Sequence, residues 1–159
     1  GGGNGLGKAI SLKLASHGCH VVIADIDYDG AYKTALEIEQ MGVISKAYKV
    51  DVTNAIDIQN LRDEISKELG AVDIVINNAG LVAALNLEED SKNIELMVKV
   101  NLLGPLLVNR FQFPNSDINF RVFKDYKIFS RANENQEEWP HCLRFVYGRN
   151  SCIALYYHL

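Results

Sequence analysis

The sequence predicts an α/β fold: a doubly wound parallel sheet covered by helices on both faces. Three observations predict it. A glycine-rich loop, Gly1-Gly2-Gly3-Asn4-Gly5-Leu6-Gly7, opens directly into a helical apolar pattern. Short apolar runs then alternate with amphipathic stretches as far as Arg110. The first of those runs ends in an acidic residue, Asp25, 18 residues after Gly7. Strand and helix patterns in alternation favour parallel strands joined by crossover helices.

Past the loop, Leu6, Ile10 and Leu14 recur at helical spacing and form one apolar stripe, which Gly18 ends. Val21-Val22-Ile23-Ala24 then reads as a buried strand. Gly30 to Gln40 predicts a second helix with Ala31, Ala35 and Ile38 inward, and Val43 to Val52 holds a second strand. Ile58, Leu61, Ile65 and Leu69 mark a third helix closed by Gly70. Val72 to Ile76 is a third strand running into Asn77-Asn78-Ala79-Gly80, and a fourth helix is expected from about Asp90 to Leu103, bent or ended by Pro105.

After Arg110 the composition shifts. All six phenylalanines, Phe111 to Phe145, and the single Trp139 lie there, with only one of the 12 glycines, Gly148. Strand-like patches occur at Ile118 to Phe123 and Cys152 to Tyr157, without helix–strand alternation. The expected organisation is a regular N-terminal part over 1–110 and a divergent tail over 111–159. So abrupt a change predicts a tail from another reading frame, an intron or an alternative exon.

A chain of 159 residues is at most one ordinary domain, and 48% hydrophobic with 23% charged residues is enough for a core. A net charge of -4 gives no electrostatic reason to expect nucleic acid. Three cysteines, Cys19, Cys142 and Cys152, fit a reducing compartment better than a disulfide framework. No stretch reaches the ~18 apolar residues of a membrane span, and no signal peptide is visible. The first residue is Gly and the only methionines are Met41 and Met97, so the start is expected upstream.

The loop spacing is G-x-x-x-G-x-G over Gly1, Gly5 and Gly7. Glycine allows a tight turn and close approach to a pyrophosphate, and the helix that begins near Leu6 adds its positive end. Gly2 to Lys8 also fits the phosphate loop of nucleotide triphosphatases up to its last position, but Ala9 lacks the hydroxyl that would hold magnesium. Asp25, at the end of the next strand, is placed to accept hydrogen bonds from the adenosine ribose and to repel a 2′-phosphate, which argues for NAD over NADP. Asn4 and Ile26 beside it bring no positive charge. Ile94, Met97, Val98 and Asn101 share one helix face, so the Asn101 amide needs partners if that face is buried. His141, Cys142, Cys152 and His158 do not match a structural zinc spacing, and no metal site is expected.

Gly1 to Gly7, Asp25, Asp51-Val52, Asn77-Asn78-Ala79-Gly80 and Val100-Asn101-Leu102-Leu103-Gly104, in this order, resemble the short-chain dehydrogenase/reductase family, with its Rossmann-like sheet, over about 1–110. The pattern is most similar to the retinol and 17β-hydroxysteroid dehydrogenase branch. The resemblance implies an NAD-dependent oxidoreductase acting on a lipophilic or secondary alcohol, or the corresponding ketone. It implies that Gly1, Gly5, Leu6 and Gly7 cradle the cofactor phosphates, that Asp51 binds the adenine amino group and that Val52 packs beside the ring. Asn78, Ala79 and Gly80 would line the cofactor cleft, and Asn101 would be the active-site asparagine that holds a water in the proton relay. The family's fourth helix commonly packs against a partner subunit, which implies a homodimer. The location implied is cytoplasmic, or endoplasmic reticulum or lipid droplet if an anchor precedes Gly1.

Two departures follow from the same comparison. The family's catalytic serine and Tyr-x-x-x-Lys pair lie beyond the fourth helix, and no tyrosine here has lysine four residues on: Tyr126 meets Ser130 and Tyr147 meets Ser151. Tyr126-Lys127 is adjacent, and helix neighbours point in different directions. A general acid must lie within hydrogen-bond reach of the reacting oxygen, so this chain is expected to be inactive, a cofactor-binding or dimerisation module. A strand should also deliver the loop to its helix. None precedes Gly1, and the gap is expected to leave two unpaired edges in the middle of the sheet.

Overall fold

The computed structural model describes residues 1–70, 72–81, 91–110, 118–121 and 151–155. In chain order these form α1 (Gly5–Ser16), β1 (His20–Asp25), α2 (Tyr28–Glu39), β2 (Ser45–Lys49), α3 (Ala55–Glu68), β3 (Ile74–Asn77), α4 (Ser91–Val98), a π-helical turn (Lys99–Leu103), α5 (Gly104–Arg110), β4 (Ile118–Arg121) and β5 (Ser151–Leu155). The expected alternation through the third strand is therefore present.

All four strand pairings are parallel, and the sheet order is β2-β1-β5-β3-β4. The chain steps outward from β1 through α2 to β2, then crosses back through α3 to β3 on the other side. Right-handed crossovers in opposite directions put their helices on opposite faces. The two cores show this. Val21, Ile23, Ile74 and Ile76 point to one face, under Ile10 and Leu14 of α1 and Ala31, Ala35 and Ile38 of α2. Val22, Ala24 and Val75 point to the other, against Ile58, Leu61 and Ile65 of α3 and Val108 of α5. Alternate strand residues thus serve alternate layers, the period-two rule of a sheet buried on both faces.

The helix boundaries have local causes. Asp27 caps α2 by accepting from the Gly30 amide, and Asn54 caps α3 by accepting from the Ile56 amide. Gly18, Gly42 and Gly70 take positive φ where the chain turns out of a helix. Asn54→Ala removes an exposed cap bond of 2.9 Å. It should lower unfolding stability by about 1 kcal/mol, read as a lower denaturant midpoint with an unchanged slope.

Two expectations need correction. The fourth helix was expected from about Asp90 to Leu103, bent or ended by Pro105; instead α4 already ends at Val98, a π turn follows, and α5 continues past Pro105 to Arg110. Pro105 supplies the cause. It has no N–H to bond back into the preceding turn, and its ring crowds the carbonyl four residues earlier, so the ladder is reset at the π turn and Pro105 falls in the first turn of α5, where proline is tolerated. The second correction concerns the middle of the sheet. The expected pair of open edges is closed: β5, from the chain's last residues, lies between β1 and β3 and pairs with both. Both strand-like patches of the tail, near Ile118 and Cys152, are strands of this one sheet.

Candidate cofactor site

The glycine loop starts where β1 ends. The Gly1 nitrogen donates to the Ala24 carbonyl at 3.1 Å and lies 2.9 Å from Asp25 Oδ2. The Gly3 amide donates to the same oxygen at 3.0 Å, and the Asp27 amide donates to Oδ1 at 2.9 Å. On its other side the Gly3 carbonyl accepts from the Thr34 hydroxyl of α2 at 3.0 Å. A Cβ on Gly3 would stand 2.6 Å from the Ala31 nitrogen and the Gly30 carbonyl carbon. The loop is thus pressed flat onto the start of α2, and only glycine fits there. Gly5 holds φ +54, the left-handed turn that swings the chain into α1. Gly7 is buried within that helix, and Leu6 packs at the margin of the first core.

The start of α1 differs from that of its neighbours. Asn4, at its N-cap, makes no capping bond, and the first turn carries no acidic residue. By contrast, α2 and α3 each have both a side-chain cap and an aspartate in the first turn. Asn4 instead turns its amide to Asp27 Oδ2 at 3.5 Å. Among the described residues, no side chain caps the first amides of α1 or the positive end of its dipole, the arrangement in which a helix start can receive an anion. They sit at the carboxyl edge of the sheet, beside the point where the strand order reverses, the usual ligand crevice of an open α/β sheet.

Asp25 is placed where the sequence put it but is used differently. Its side chain is 0% exposed, and both oxygens are taken by donors of its own chain. The residue expected to accept from ribose hydroxyls is thus buried and anchors the loop. Asp51 follows β2 and is half-buried; its Oδ1 accepts from the Thr53 amide at 2.8 Å and the Thr53 hydroxyl at 2.7 Å. Val52 is 3% exposed and packs with Leu81 and Val100. The face expected to meet an adenine ring is thus turned into a small core, where Gly104 leaves room for it: a Cβ there would stand 3.0 Å from Val52 Cγ2.

Asn78, Ala79 and Gly80 leave β3 at the same edge of the sheet, half-buried, with the Asn78 amide turned back to the Ile76 carbonyl at 3.1 Å. Asn77 is buried and reaches Asn109 of α5 at 3.4 Å. Asn101 lies in the π turn, and its amide is bonded at both ends to one residue: Oδ1 accepts from the Leu81 N–H at 2.7 Å, and Nδ2 donates to the Leu81 carbonyl at 2.8 Å. The apolar stripe expected around it is not buried, since Ile94 and Val98 are exposed and only Met97 packs inward. Asn101 instead pins the segment after Gly80 against the π turn, a helical irregularity that often marks functional positions. Asn101→Asp keeps the acceptor but sets a carboxylate against the Leu81 carbonyl. It should cost about 1 kcal/mol, with faster amide exchange at Leu81 as the specific sign.

Three residues used here were not singled out from the sequence: Gly3, Thr34 and Leu81. Thr34 was legible, because it lies on the inward stripe with Ala31, Ala35 and Ile38, where a hydroxyl must find a partner. Gly3 falls between the spaced glycines, and Leu81 acts only through its backbone. Tyr126, Lys127, Ser130, Trp139, His141, Cys142, Tyr147 and His158 lie outside the described residues. A separate groove of about 330 Å³, lined among others by Tyr28, Tyr32, Tyr48, Lys46 and Glu68, runs along the outer β2 side and shares no residue with the loop.

Beside this geometry (a loop flattened by glycine onto α2, an uncapped helix start above it and a buried carboxylate below it), the short chain dehydrogenase family model matches residues 1–117. The chain belongs to the short-chain dehydrogenase/reductase family. It is 37% identical over 112 residues to the short chain dehydrogenase/reductase dpfgG of Gibberella zeae, covering 69% of this chain and 41% of that protein. It is 34% identical over 120 residues to human 17-beta-hydroxysteroid dehydrogenase 13, covering 72% of this chain and 39% of that one. The chain thus spans less than half the length of these relatives. Among solved structures it resembles an alcohol dehydrogenase from the archaeon Thermococcus sibiricus complexed with 5-hydroxy-NADP, with TM-score 0.68 and 31% identity over 73% of this chain and 50% of that one. It also resembles an NAD+-bound xylitol dehydrogenase, with TM-score 0.65 and 25% identity over 69% of this chain and 43% of that one. Proteins of this short-chain dehydrogenase family are oxidoreductases that use nicotinamide cofactors. Among the described residues, no helix is long and apolar enough to cross a membrane.

Proposed function

We propose that residues 1–110 form the dinucleotide half of an NAD-dependent alcohol or ketone oxidoreductase, and that the chain as it stands binds NAD without turning over substrate. The observation that carries this reading is the uncapped start of α1 over the loop that Asp25 anchors. The first amides of α1, from Gly5 to Gly7, would hold the pyrophosphate. The charge of Asp25, with Asp27 beside it, disfavours a 2′-phosphate. Lys8, the nearest cation along the chain, is committed to Glu37 at 2.5 Å. The nicotinamide supplies the hydride acceptor or donor when bound. Asn101 and Leu81 would fix the wall of the cleft on that side.

The similarity to 17-beta-hydroxysteroid dehydrogenase 13 supports a lipophilic secondary alcohol, of retinol or steroid type, as the substrate class of the parent enzyme. No Tyr-x-x-x-Lys is present to move the proton. A thermal melt with and without NAD tests the binding half. At 100 times the dissociation constant, NAD should add about 2.7 kcal/mol of apparent stability, and no upward shift would refute it. Measurable NAD-linked oxidation of retinol or a steroid alcohol, abolished by Asn101→Ala, would refute the inactivity.

A second reading, a dimerisation module, is favoured by one surface. Ile94, Leu96, Val98, Leu102, Leu103 and Leu106, from α4 through α5, are all at least 38% exposed. Sedimentation of the full chain tests it: a monomer at micromolar concentration would remove this reading and leave the first intact.

A further inference from the structure

The outer edge of the sheet carries a groove that the nucleotide loop does not use. Helix α2 is apolar on two faces. Ala31, Ala35 and Ile38 enter the core. Tyr28, Tyr32 and Leu36, four residues apart, form a second stripe, and it is exposed. A surface helix ordinarily turns polar residues outward, so packing of the core does not account for this stripe. It lines the groove of about 330 Å³, together with Lys46 and Tyr48 of the edge strand β2 and Glu68 of α3. The rings of Tyr28 and Tyr32 stack with 6.0 Å between centroids and 21° between planes. One wall of the groove is thus a preformed aromatic surface.

The charge along the groove is unbalanced. Among the described residues Lys46 is its one cation, and it is paired with Glu68. The Tyr48 hydroxyl donates to the same carboxylate at 3.1 Å. Burial, and then Glu68 and Glu64 beside it, raise the Tyr48 phenol above its ordinary pKa, so it stays a neutral donor. On the α2 side, Glu39 also lines the groove. It is the last residue of α2, is exposed and forms no ion pair among the described residues. The last turn of α2 also lacks a basic residue, whereas α1 has Lys13 and α3 has Lys67 there. The negative end of the α2 dipole therefore adds to the Glu39 carboxylate instead of meeting a cation.

We propose that the groove binds a small organic ammonium ion: Glu39 and the C-terminal end of α2 hold the positive charge, and Leu36, Tyr32 and Tyr28 carry the apolar body. The chemistry selects this class. An aromatic face attracts a cation through its ring quadrupole, and an unpaired carboxylate at a helix C-terminus repels an anion. The volume is at the lower limit for ligand pockets, which suits one small molecule. The site shares no residue with the loop, so the proposal stands or falls apart from the nucleotide reading.

A nuclear magnetic resonance titration of the full chain tests it, with benzyltrimethylammonium as the probe and phenylacetate as an anion of similar size. The ammonium should give saturable shifts at the rings of Tyr28 and Tyr32 and at the amides of Leu36 and Glu39, and phenylacetate should give none. Two substitutions at exposed positions, neither of which should lower the melting temperature, divide the site. Glu39→Gln should weaken binding about fivefold, and Tyr32→Leu, which keeps an apolar wall without the ring, roughly threefold. Equal responses to the two probes, or full affinity in Glu39→Gln, would overturn the proposal. So would binding to phosphatidylcholine vesicles with no response to the free ammonium, which would assign the same cation chemistry to a lipid surface.

Discussion

Asp25→Ala should abolish NAD binding and lower the melting temperature by on the order of 10 °C. The carboxylate is fully buried and receives the amides of Gly3 and Asp27, with the Gly1 nitrogen at 2.9 Å. Truncation removes the acceptor but not the donors. An orphaned buried donor costs about 1–3 kcal/mol, and two of them in one place cost on the order of 3 kcal/mol. For a domain of this size each kcal/mol shifts the transition by roughly 2–4 °C. Asp25→Asn separates charge from hydrogen bonding. One acceptor oxygen remains, so it should recover part of the stability and weaken the discrimination between NAD and NADP. Calorimetric melts and paired NAD and NADP titrations of the two variants check this; an Asp25→Ala variant that melts within a degree of the parent would show that the carboxylate is not the loop's anchor.

Gly3→Ala should be nearly as damaging, through shape rather than charge. A methyl at this position meets the Ala31 nitrogen and the Gly30 carbonyl carbon at 2.6 Å, and neither can rotate away because both are backbone. Either α2 shifts outward or the loop lifts off it. Lifting the loop breaks the Gly3 bonds to Asp25 and to the Thr34 hydroxyl. Overpacking of this kind costs about 1–3 kcal/mol, and nucleotide affinity should fall at least tenfold. Gly5→Ala offers the contrast: nothing lies within 4 Å of its Cβ, but φ +54 is strained for alanine. Its penalty should be near 1 kcal/mol with the loop still seated. Equal losses in the two variants, by denaturant midpoint and by NAD titration, would contradict this division.

These residues also show how much was legible beforehand. The alternation of β1, α2, β2, α3 and β3 follows from local apolar periodicity, which the finished core preserves because each inward residue meets a partner with the same spacing. Asp25 was found by its distance from the loop, but its burial was not, because exposure depends on how closely Gly3 approaches and not on spacing. Asn101 was read as a polar residue on an apolar stripe. The stripe did not survive: Ile94 and Val98, ahead of the π turn, are exposed, and the turn shifts the phase of Asn101 against them, whereas a helical-face argument assumes a constant period. The two halves of the sheet were expected to stand apart at an open centre. That the last residues fill the gap is a pairing across more than 100 positions, His20 to Ser151, and no local pattern encodes it. Only the strand-like character of the Cys152 run was readable in advance.

The central claim is that the loop from Gly1 to Gly7, anchored on Asp25, is an NAD site in this chain. Isothermal titration of the full chain with NAD and then NADP addresses it most directly. The structure predicts saturable binding of one NAD per chain and NADP binding at least tenfold weaker, because the loop ends over the buried carboxylate of Asp25 and the neighbouring Asp27. Equal affinity for the two nucleotides, or heat from neither, would contradict it.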